Sequence, residues 1–262
     1  MKVKLWTLLV SPVLAIGLTQ VASATNYGGV DEALLVEQFP DSVEVRLVKH
    51  HNRLFAFVEG VDSSLSLYTT NRQGEEWQAV DDTASPAEDL LAQTSHIDTF
   101  GLYEKVVYAG TVNTSGVAEV WSICMHCRPA VWEQVGTTGL GDEHNTAIID
   151  FFRIPDQGIY AITQNESGNG LFMSEDGDTW TQVGEYGLGN QISDAVAASR
   201  VLVVGDVVNL ATTAGVVYQA SFDDLTTWTV LETFDGNITA MLGRFVAITA
   251  DGVVSVYESD AN

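Results

Sequence analysis

The sequence predicts an all-β fold. Hydrophobic residues make up 46% of the chain, and 23 Gly accompany only five Pro, a composition that favours a folded chain over a disordered one. Helical periodicity is nearly absent, and residues 86–93 are the single candidate helix. Four Trp residues recur at spacings of 55, 48 and 48 residues, each after an apolar segment and a short turn: Trp77, Trp132, Trp180 and Trp228.

Each of these Trp residues begins the last strand of a unit that contains four strand-like segments. In the third unit the segments are 147–154, 159–163, 171–173 and 180–183. The units are about fifty residues long, which is the length of one blade of a β-propeller, a ring of four-stranded antiparallel sheets. The repeat therefore predicts one blade for each unit.

A fifth unit supplies only three strands, 238–242, 245–249 and 253–257, and no Trp strand follows them. We expect residues 34–39, which resemble the Trp strand of the second unit, to pair with this unit as its fourth strand. Such pairing closes the ring and protects two sheet edges. The sequence thus predicts a five-bladed β-propeller of four-stranded antiparallel blades, closed by the N-terminal strand. Two separate β domains are the alternative.

The first 24 residues have the pattern of a signal peptide. Lys2 and Lys4 precede the apolar stretch 5–18, and small residues at 22–24 suit signal peptidase. We expect cleavage after Ala24, a secreted or periplasmic protein and a single domain over residues 25–262. An uncleaved N-terminal anchor is the alternative. No later segment stays apolar for long enough to span a bilayer, so membrane insertion is not expected.

The chain is strongly acidic. Its formal net charge is −24, and loss of Lys2 and Lys4 with the signal peptide makes it −26. Such a surface repels phosphate backbones and anionic lipid, which excludes nucleic acid as an expected partner. It suits a basic protein partner or divalent cations, and a solvated acidic surface without a partner is the alternative. We expect a monomer that binds a protein or a glycan.

One acidic turn has a recognisable pattern. It contains Ser174, Asp176, Gly177, Thr179 and Trp180, and it resembles the Asp box, Ser/Thr-x-Asp-x-Gly-x-Thr-Trp, of the sialidase-like (BNR repeat) propellers, one residue shorter. Less complete copies occur in the first and fourth units: Thr70, Gly74 and Trp77, then Ser221, Asp223, Thr227 and Trp228. The resemblance implies structural turns away from any active centre. Cation binding by the carboxylates of 175–178 is the alternative.

A second similarity concerns Arg153. The segment Phe152-Arg153-Ile154-Pro155 is similar to the sialidase signature, whose Arg joins two others to bind a substrate carboxylate. However, it lies in the third unit, the chain is one blade short of a sialidase, and the other Arg residues lack a sialidase context. We therefore expect a degenerate, non-catalytic member, with a sialidase-like hydrolase as the alternative.

Carboxylates on the innermost strands are the other catalytic candidates. By alignment of the units these are Glu44, Asp98, Asp150 and Asp194. Carboxylates that converge on the ring axis suit cation binding or the acid and base of a glycosidase. Solvated positions at strand ends are the alternative. We expect no cofactor and no metal, a divalent cation being the one exception considered.

The segment Cys124-Met125-His126-Cys127 replaces the acidic turn of the second unit. Export into an oxidising compartment favours a disulfide between the two Cys. A redox-active pair, with Arg128 favouring a thiolate, is the alternative. A c-type haem needs His where Arg128 stands, and zinc needs a fourth donor such as His144.

These observations together predict an exported, non-catalytic propeller that acts as a binding or assembly scaffold. Its ligand would lie at one mouth of the central channel. A glycosidase-like enzyme that uses Arg153 and channel carboxylates is the first alternative. A lectin is the second, and the divergence of the units weighs against it, because five-bladed lectins repeat a similar pocket in each blade.

Overall fold

A computed structural model describes the residue ranges 6–7, 42–50, 53–60, 65–70, 77–79, 90, 94–104, 106–124, 127, 131–190, 198–242, 245–250 and 253–258. The described part is built mostly from strands, with a short helix, α1 (Tyr186–Asn190), and a 3₁₀ turn (Thr138–Gly141); Leu90 is also helical. None of the described helices has the length and apolar character needed to cross a membrane.

The described strands form five antiparallel sheets of four strands, each from consecutive segments except the last. Sheets I and II contain β2 (Ser42–His50), β3 (Arg53–Gly60), β4 (Leu65–Thr70) and β5 (Gln78–Ala79), then β6 (Thr94–Tyr103), β7 (Val106–Asn113), β8 (Ala118–Cys124) and β9 (Trp132–Val135). Sheets III and IV contain β10 (Asn145–Ile154), β11 (Gly158–Asn165), β12 (Gly170–Ser174) and β13 (Thr181–Gln182), then β14 (Ala198–Val204), β15 (Val207–Thr212), β16 (Val216–Ser221) and β17 (Asp224–Thr233). Sheet V contains β18 (Asn237–Leu242), β19 (Phe245–Ala250), β20 (Val253–Glu258) and β1 (Trp6–Thr7).

The first strand of each sheet contacts the first strand of the next, from β2 through β6, β10 and β14 to β18. Apolar cores fill the spaces between neighbouring sheets. Because side chains alternate along a strand, β10 serves two cores: Phe151 packs towards sheet II with Tyr108, and Phe152 packs towards sheet IV with Val208. The sheets therefore stack face to face around their first strands, as blades do.

Two glycines let sheet III approach sheet II closely. A Cβ atom at Gly101 would lie 2.5 Å from Phe151 Cβ, and one at Gly110 would lie 2.5 Å from Ile148 Cβ. Any larger residue at these positions would push the sheets apart. These contacts join β6 and β7 of sheet II to β10 of sheet III.

The fourth strand of sheet V differs from the sequence expectation. Trp6 and Thr7 pair with Val256 and Ser255 of β20, whereas residues 34–39 lie outside the described residues. A free strand edge offers unpaired backbone groups, and here two residues of the predicted signal peptide occupy the edge of β20. The other residues of segment 1–24 and the candidate helix 86–93, apart from Leu90, also lie outside the described residues.

Candidate functional site

The sheets have two different ends. The loop end carries the connections 136–144 and 183–190 and the hairpin turns 114–117 and 166–169. The box end carries the short turns 155–157 and 175–180. Long loops on a rigid scaffold are the usual place for binding residues, which makes the loop end the first region to consider.

At the box end, the turn of sheet III is held by its own side chains. One carboxylate oxygen of Asp176 accepts hydrogen bonds from the amides of Asp178 and Thr179, at 2.9 and 2.7 Å, and from the Ser174 hydroxyl, at 3.0 Å. The Gly177 amide donates to Ser174 Oγ, at 2.8 Å. The amide donors lower the pKa of Asp176 to about 2. The carboxylate thus stays ionised and fixes the turn.

This turn also packs on the preceding sheet. Gly177 has φ of +82°, and a Cβ atom there would collide with the hydroxyl of Tyr108 in sheet II. The Trp180 ring meets Tyr108 edge-on, with centroids 6.3 Å apart, and lies 6.2 Å from the Phe151 ring. Burial and the nearby Asp178 raise the pKa of Tyr108. The turn therefore joins two sheets as well as two strands.

The equivalent turn of sheet IV uses a residue that the sequence comparison missed. Asp224, and not Asp223, accepts hydrogen bonds from the amide and hydroxyl of Thr226, at 2.9 and 2.6 Å. These bonds lower the pKa of Asp224. Trp228 is 1% exposed and donates from Nε1 to the Leu225 carbonyl, at 2.8 Å. The Asp-box pattern places its Asp at Asp223, and Asp224 was overlooked because this turn lacks the Gly of the pattern.

The remaining predicted box residues are placed as follows. The Ser221 hydroxyl accepts from the Asp223 amide, at 3.2 Å. Thr227 is exposed, Thr70 is buried in sheet I, and Trp77 is half-buried. Gly74 lies outside the described residues.

Two of the predicted channel carboxylates join neighbouring sheets. Asp98 Oδ2 accepts the amide of Ile148, at 3.1 Å, from sheet II to sheet III. Asp150 Oδ2 accepts the amide of Val201, at 3.0 Å, from sheet III to sheet IV. Both residues are half-buried. Glu44 lies on β2 with its side chain outside the described residues, and Asp194 lies outside them entirely.

Arg153 lies at the box end. It is exposed and pairs across the sheet with Ile159, which in turn pairs with Ser174 of the acidic turn. The sialidase resemblance implies an active centre away from these turns, so this position does not match the family arrangement. The side chains of the other Arg residues lie outside the described residues.

The loop end carries a cluster of polar side chains, Asp142, His144, Asn145, Asn165 and Glu166. Asp142 Oδ1 lies 2.9 Å from His144 Nδ1 and accepts the His144 amide at 3.0 Å, while Oδ2 accepts from Asn165 at 3.2 Å. The hydrogen bond from the backbone amide of His144 is the main reason that the pKa of Asp142 falls to about 2. The hydrogen bond with Asp142 raises the pKa of His144, and Glu166 lies 3.6 Å from its Nε2.

The exposed and buried members of this cluster have different tasks. Asn145 and Asn165 are buried, and Asn145 binds the 136–144 loop by donating to the Gly139 carbonyl at 2.7 Å. The side chain of His144 is 55% exposed and that of Glu166 is 72% exposed. The buried amides therefore fix the loops, and the imidazole and carboxylates are presented to solvent.

Sheet II has a similar arrangement at this end. The buried Glu119 accepts hydrogen bonds from Asn113, Trp121 and Thr138, at 3.0, 3.2 and 3.3 Å. His96, exposed on β6, lies 2.8 Å from Asp98. Across the described residues, no three His, Cys, Asp or Glu side chains are grouped so as to hold a metal ion.

Comparison with known proteins shows the fold. No protein-family model and no curated protein sequence matches this chain. YCF48 from Cyanidioschyzon merolae matches at 14% identity and a TM-score of 0.50, over 91% of this chain and 70% of that chain. A YCF48 structure bound to D1 peptide matches at 14% identity and a TM-score of 0.50, over 83% of this chain and 64% of that chain.

Two further structures match over most of this chain. Luciferin-regenerating enzyme is 8% identical with a TM-score of 0.54, over 83% of this chain and 80% of that chain. PorZ, a surface component of the type-IX secretion system of Porphyromonas gingivalis, is 13% identical with a TM-score of 0.53, over 84% and 26%. These proteins are β-propellers, and the chain shares their fold.

The likeness extends to the fold alone, because the sequence identities are low. The chain spans 58% of the designed protein Ika8 and 64% to 70% of the two YCF48 chains. No sialidase or BNR family model matches the chain, so that similarity depends on the sequence motifs only.

Proposed function

We propose that this protein is an exported, non-catalytic β-propeller that binds a basic protein segment at the loop end of its central channel. The observation that carries this proposal is that the side chains of Asp98 and Asp150 hold neighbouring sheets together. Each has one carboxylate oxygen bonded to a backbone amide of the next sheet, at 3.1 and 3.0 Å. A carboxylate that is bonded to a structural amide is poorly suited to act as the general acid or base of a glycosidase.

The loop end suits a basic partner. Glu143, His144 and Glu166 are exposed there, and the buried Asn145 and Asn165 hold the loops that present them. A chain with 35 acidic and 11 basic residues attracts positive charge over long range. YCF48 has been solved with a bound peptide, which fits a propeller that binds an extended segment.

The proposal includes ring closure by residues 34–39 and cleavage after Ala24. Cleavage removes Trp6 and Thr7 and so frees the edge of β20, to which residues 34–39 then pair as the fourth strand of a fifth blade. The Cys124–Cys127 disulfide fits an oxidising compartment outside the cytoplasm. The turns that resemble Asp boxes then act as joints between blades in a single domain of residues 25–262.

Peptide titration tests the proposal. A lysine-rich fluorescent peptide and a neutral peptide of equal length are titrated with the protein at low and moderate salt. We expect salt-dependent binding of the basic peptide only, weakened by the double variant E143Q/E166Q.

The matched control is E175Q/D178N, which removes the same charge from exposed positions at the box end. Equal weakening by both double variants would show attraction to net charge alone and would contradict a site at the loop end. No binding of the basic peptide at low salt would contradict the proposed partner.

A sialidase-like hydrolase is the competing function, and the exposure of Arg153 is the observation in its favour. We expect no turnover of a fluorogenic sialoside by the wild-type protein. Turnover that Arg153→Ala abolishes would reverse the conclusion.

A further inference from the structure

The turn between β8 and β9 contains a disulfide with two unequal sulfurs. Cys124 is the last residue of β8, pairs with Val106 and is half-buried. Cys127 is exposed, and its amide donates to the Cys124 carbonyl at 3.2 Å. One Cys thus lies at the end of a paired strand, and the other is an exposed residue of the turn.

The strands around this bond are held without it. β8 and β9 pair from Ile123 and Trp132 to Val120 and Val135. Trp132 is buried and lies against Phe100, with ring centroids 6.4 Å apart. A cross-link stabilises a fold chiefly by limiting the unfolded chain, and it does so least when the loop is short. The sequence separation here is only three residues, so stabilisation is a weak reason for the bond.

The sequence next to the pair differs in charge from the matching turns of sheets III and IV. His126 and Arg128 flank Cys127 in the sequence, although the chain has only 11 Lys and Arg against 35 Asp and Glu. Sheets III and IV have acidic residues at the equivalent turns, 174–180 and 221–224. A neighbouring cation stabilises a Cys thiolate, which favours the departure of Cys127 when the oxidised substrate is released.

We propose that Cys124 and Cys127 form a thiol–disulfide exchange site that oxidises protein dithiols in the exported compartment. A substrate thiolate attacks Cys127 Sγ, a mixed disulfide forms, and Cys124 leaves as a thiolate. The second substrate thiolate then attacks the substrate sulfur of the mixed disulfide, and Cys127 leaves. Two electrons pass to the protein, which gains two thiols as the substrate loses two, and a small external disulfide reoxidises the pair.

This site lies at the box end and does not depend on peptide binding at the loop end. The test mixes the oxidised full chain with a reduced fluorescent peptide that contains two Cys residues. Peptide oxidation and the free thiols of the protein are measured together. We expect one peptide disulfide for each protein disulfide reduced. A folded wild-type protein that leaves the peptide reduced would overturn the proposal.

Single-Cys variants test the order of attack. Cys124→Ser retains the exposed sulfur, and Cys127→Ser retains the half-buried one. We expect Cys124→Ser to form a mixed disulfide with oxidised glutathione about tenfold faster than Cys127→Ser does. Equal rates in two variants with wild-type circular dichroism would contradict the greater accessibility of the Cys127 sulfur, from which its role as the attacked sulfur is inferred. If either variant fails to fold, the wild-type transfer experiment still decides whether exchange occurs.

Discussion

Replacing Asp150 by Ala should destabilise the fold without affecting any chemistry. The Asp150 carboxylate accepts the Val201 amide at 3.0 Å through Oδ2 and the Phe151 amide at 2.9 Å through Oδ1. A hydrogen bond to a charged group contributes about 1.5–3 kcal/mol, and removal of the acceptor leaves a half-buried amide unpaired. We expect a loss of about 2–3 kcal/mol in the free energy of unfolding.

Urea unfolding at neutral pH, followed by Trp fluorescence, measures this loss as a lower midpoint with an unchanged m value. For a domain of this size the thermal midpoint should fall by about 4–12 °C. Asp150→Asn is the conservative control, since its amide oxygen still accepts one of the two bonds. It should lose less stability than Asp150→Ala does.

A second control is Asp206→Ala, which removes an exposed carboxylate from the turn between β14 and β15. Surface changes of this kind stay within about 0.5 kcal/mol. If Asp150→Ala also stays within that limit, the inter-sheet bond does not stabilise the protein. If it abolishes an activity and leaves stability unchanged, the carboxylate is catalytic and the reasoning fails.

Three other predictions concern the acidic turns and their Trp residues. Gly177→Ala should destabilise the protein more than Gly116→Ala, because both have φ of +82° but only Gly177 faces Tyr108; left-handed backbone alone costs about 1–2 kcal/mol, and equal losses on urea unfolding would contradict the packing. The Asp176 carboxyl should titrate near pH 2 when its titration is followed by NMR. Because the pKa of this group is depressed in the folded state, its stabilising effect is complete above about pH 3.9 and is lost as the pH falls towards 2. A pKa in the ordinary range for Asp would refute the turn geometry. Trp228→Ala should cost about 3–5 kcal/mol, since this side chain is 1% exposed, and a loss below 1 kcal/mol measured by urea unfolding would place it outside the core.

The sequence predicted the four-stranded units because strand and turn patterns are local. The segment 147–154, for example, lies within β10, Asn145–Ile154. It also predicted the Cys124–Cys127 disulfide, since spacing and compartment are both readable from residues. Both successes depend on information within a few residues of one position.

Contacts between sheets were not predictable in the same way. Asp98 and Asp150 lie on β6 and β10, the first strands of sheets II and III, but nothing near them in the sequence indicates that they bond the amides of Ile148 and Val201, some fifty residues away. The polar cluster at the loop end was missed apart from His144, because its members come from separate loops. The sequence signal that could have pointed to this end of the sheets is the segment Asn-x-Ser-Gly, which occurs at positions 113 and 165.

An experimental structure of residues 25–262 tests the central claim most directly. The account predicts five four-stranded sheets around one axis, with residues 34–39 paired to β20. It also predicts that Asp98 and Asp150 lie within hydrogen-bond distance of the Ile148 and Val201 amides. A different number of sheets, an open arc, or carboxylates that point into the channel without amide partners would contradict it.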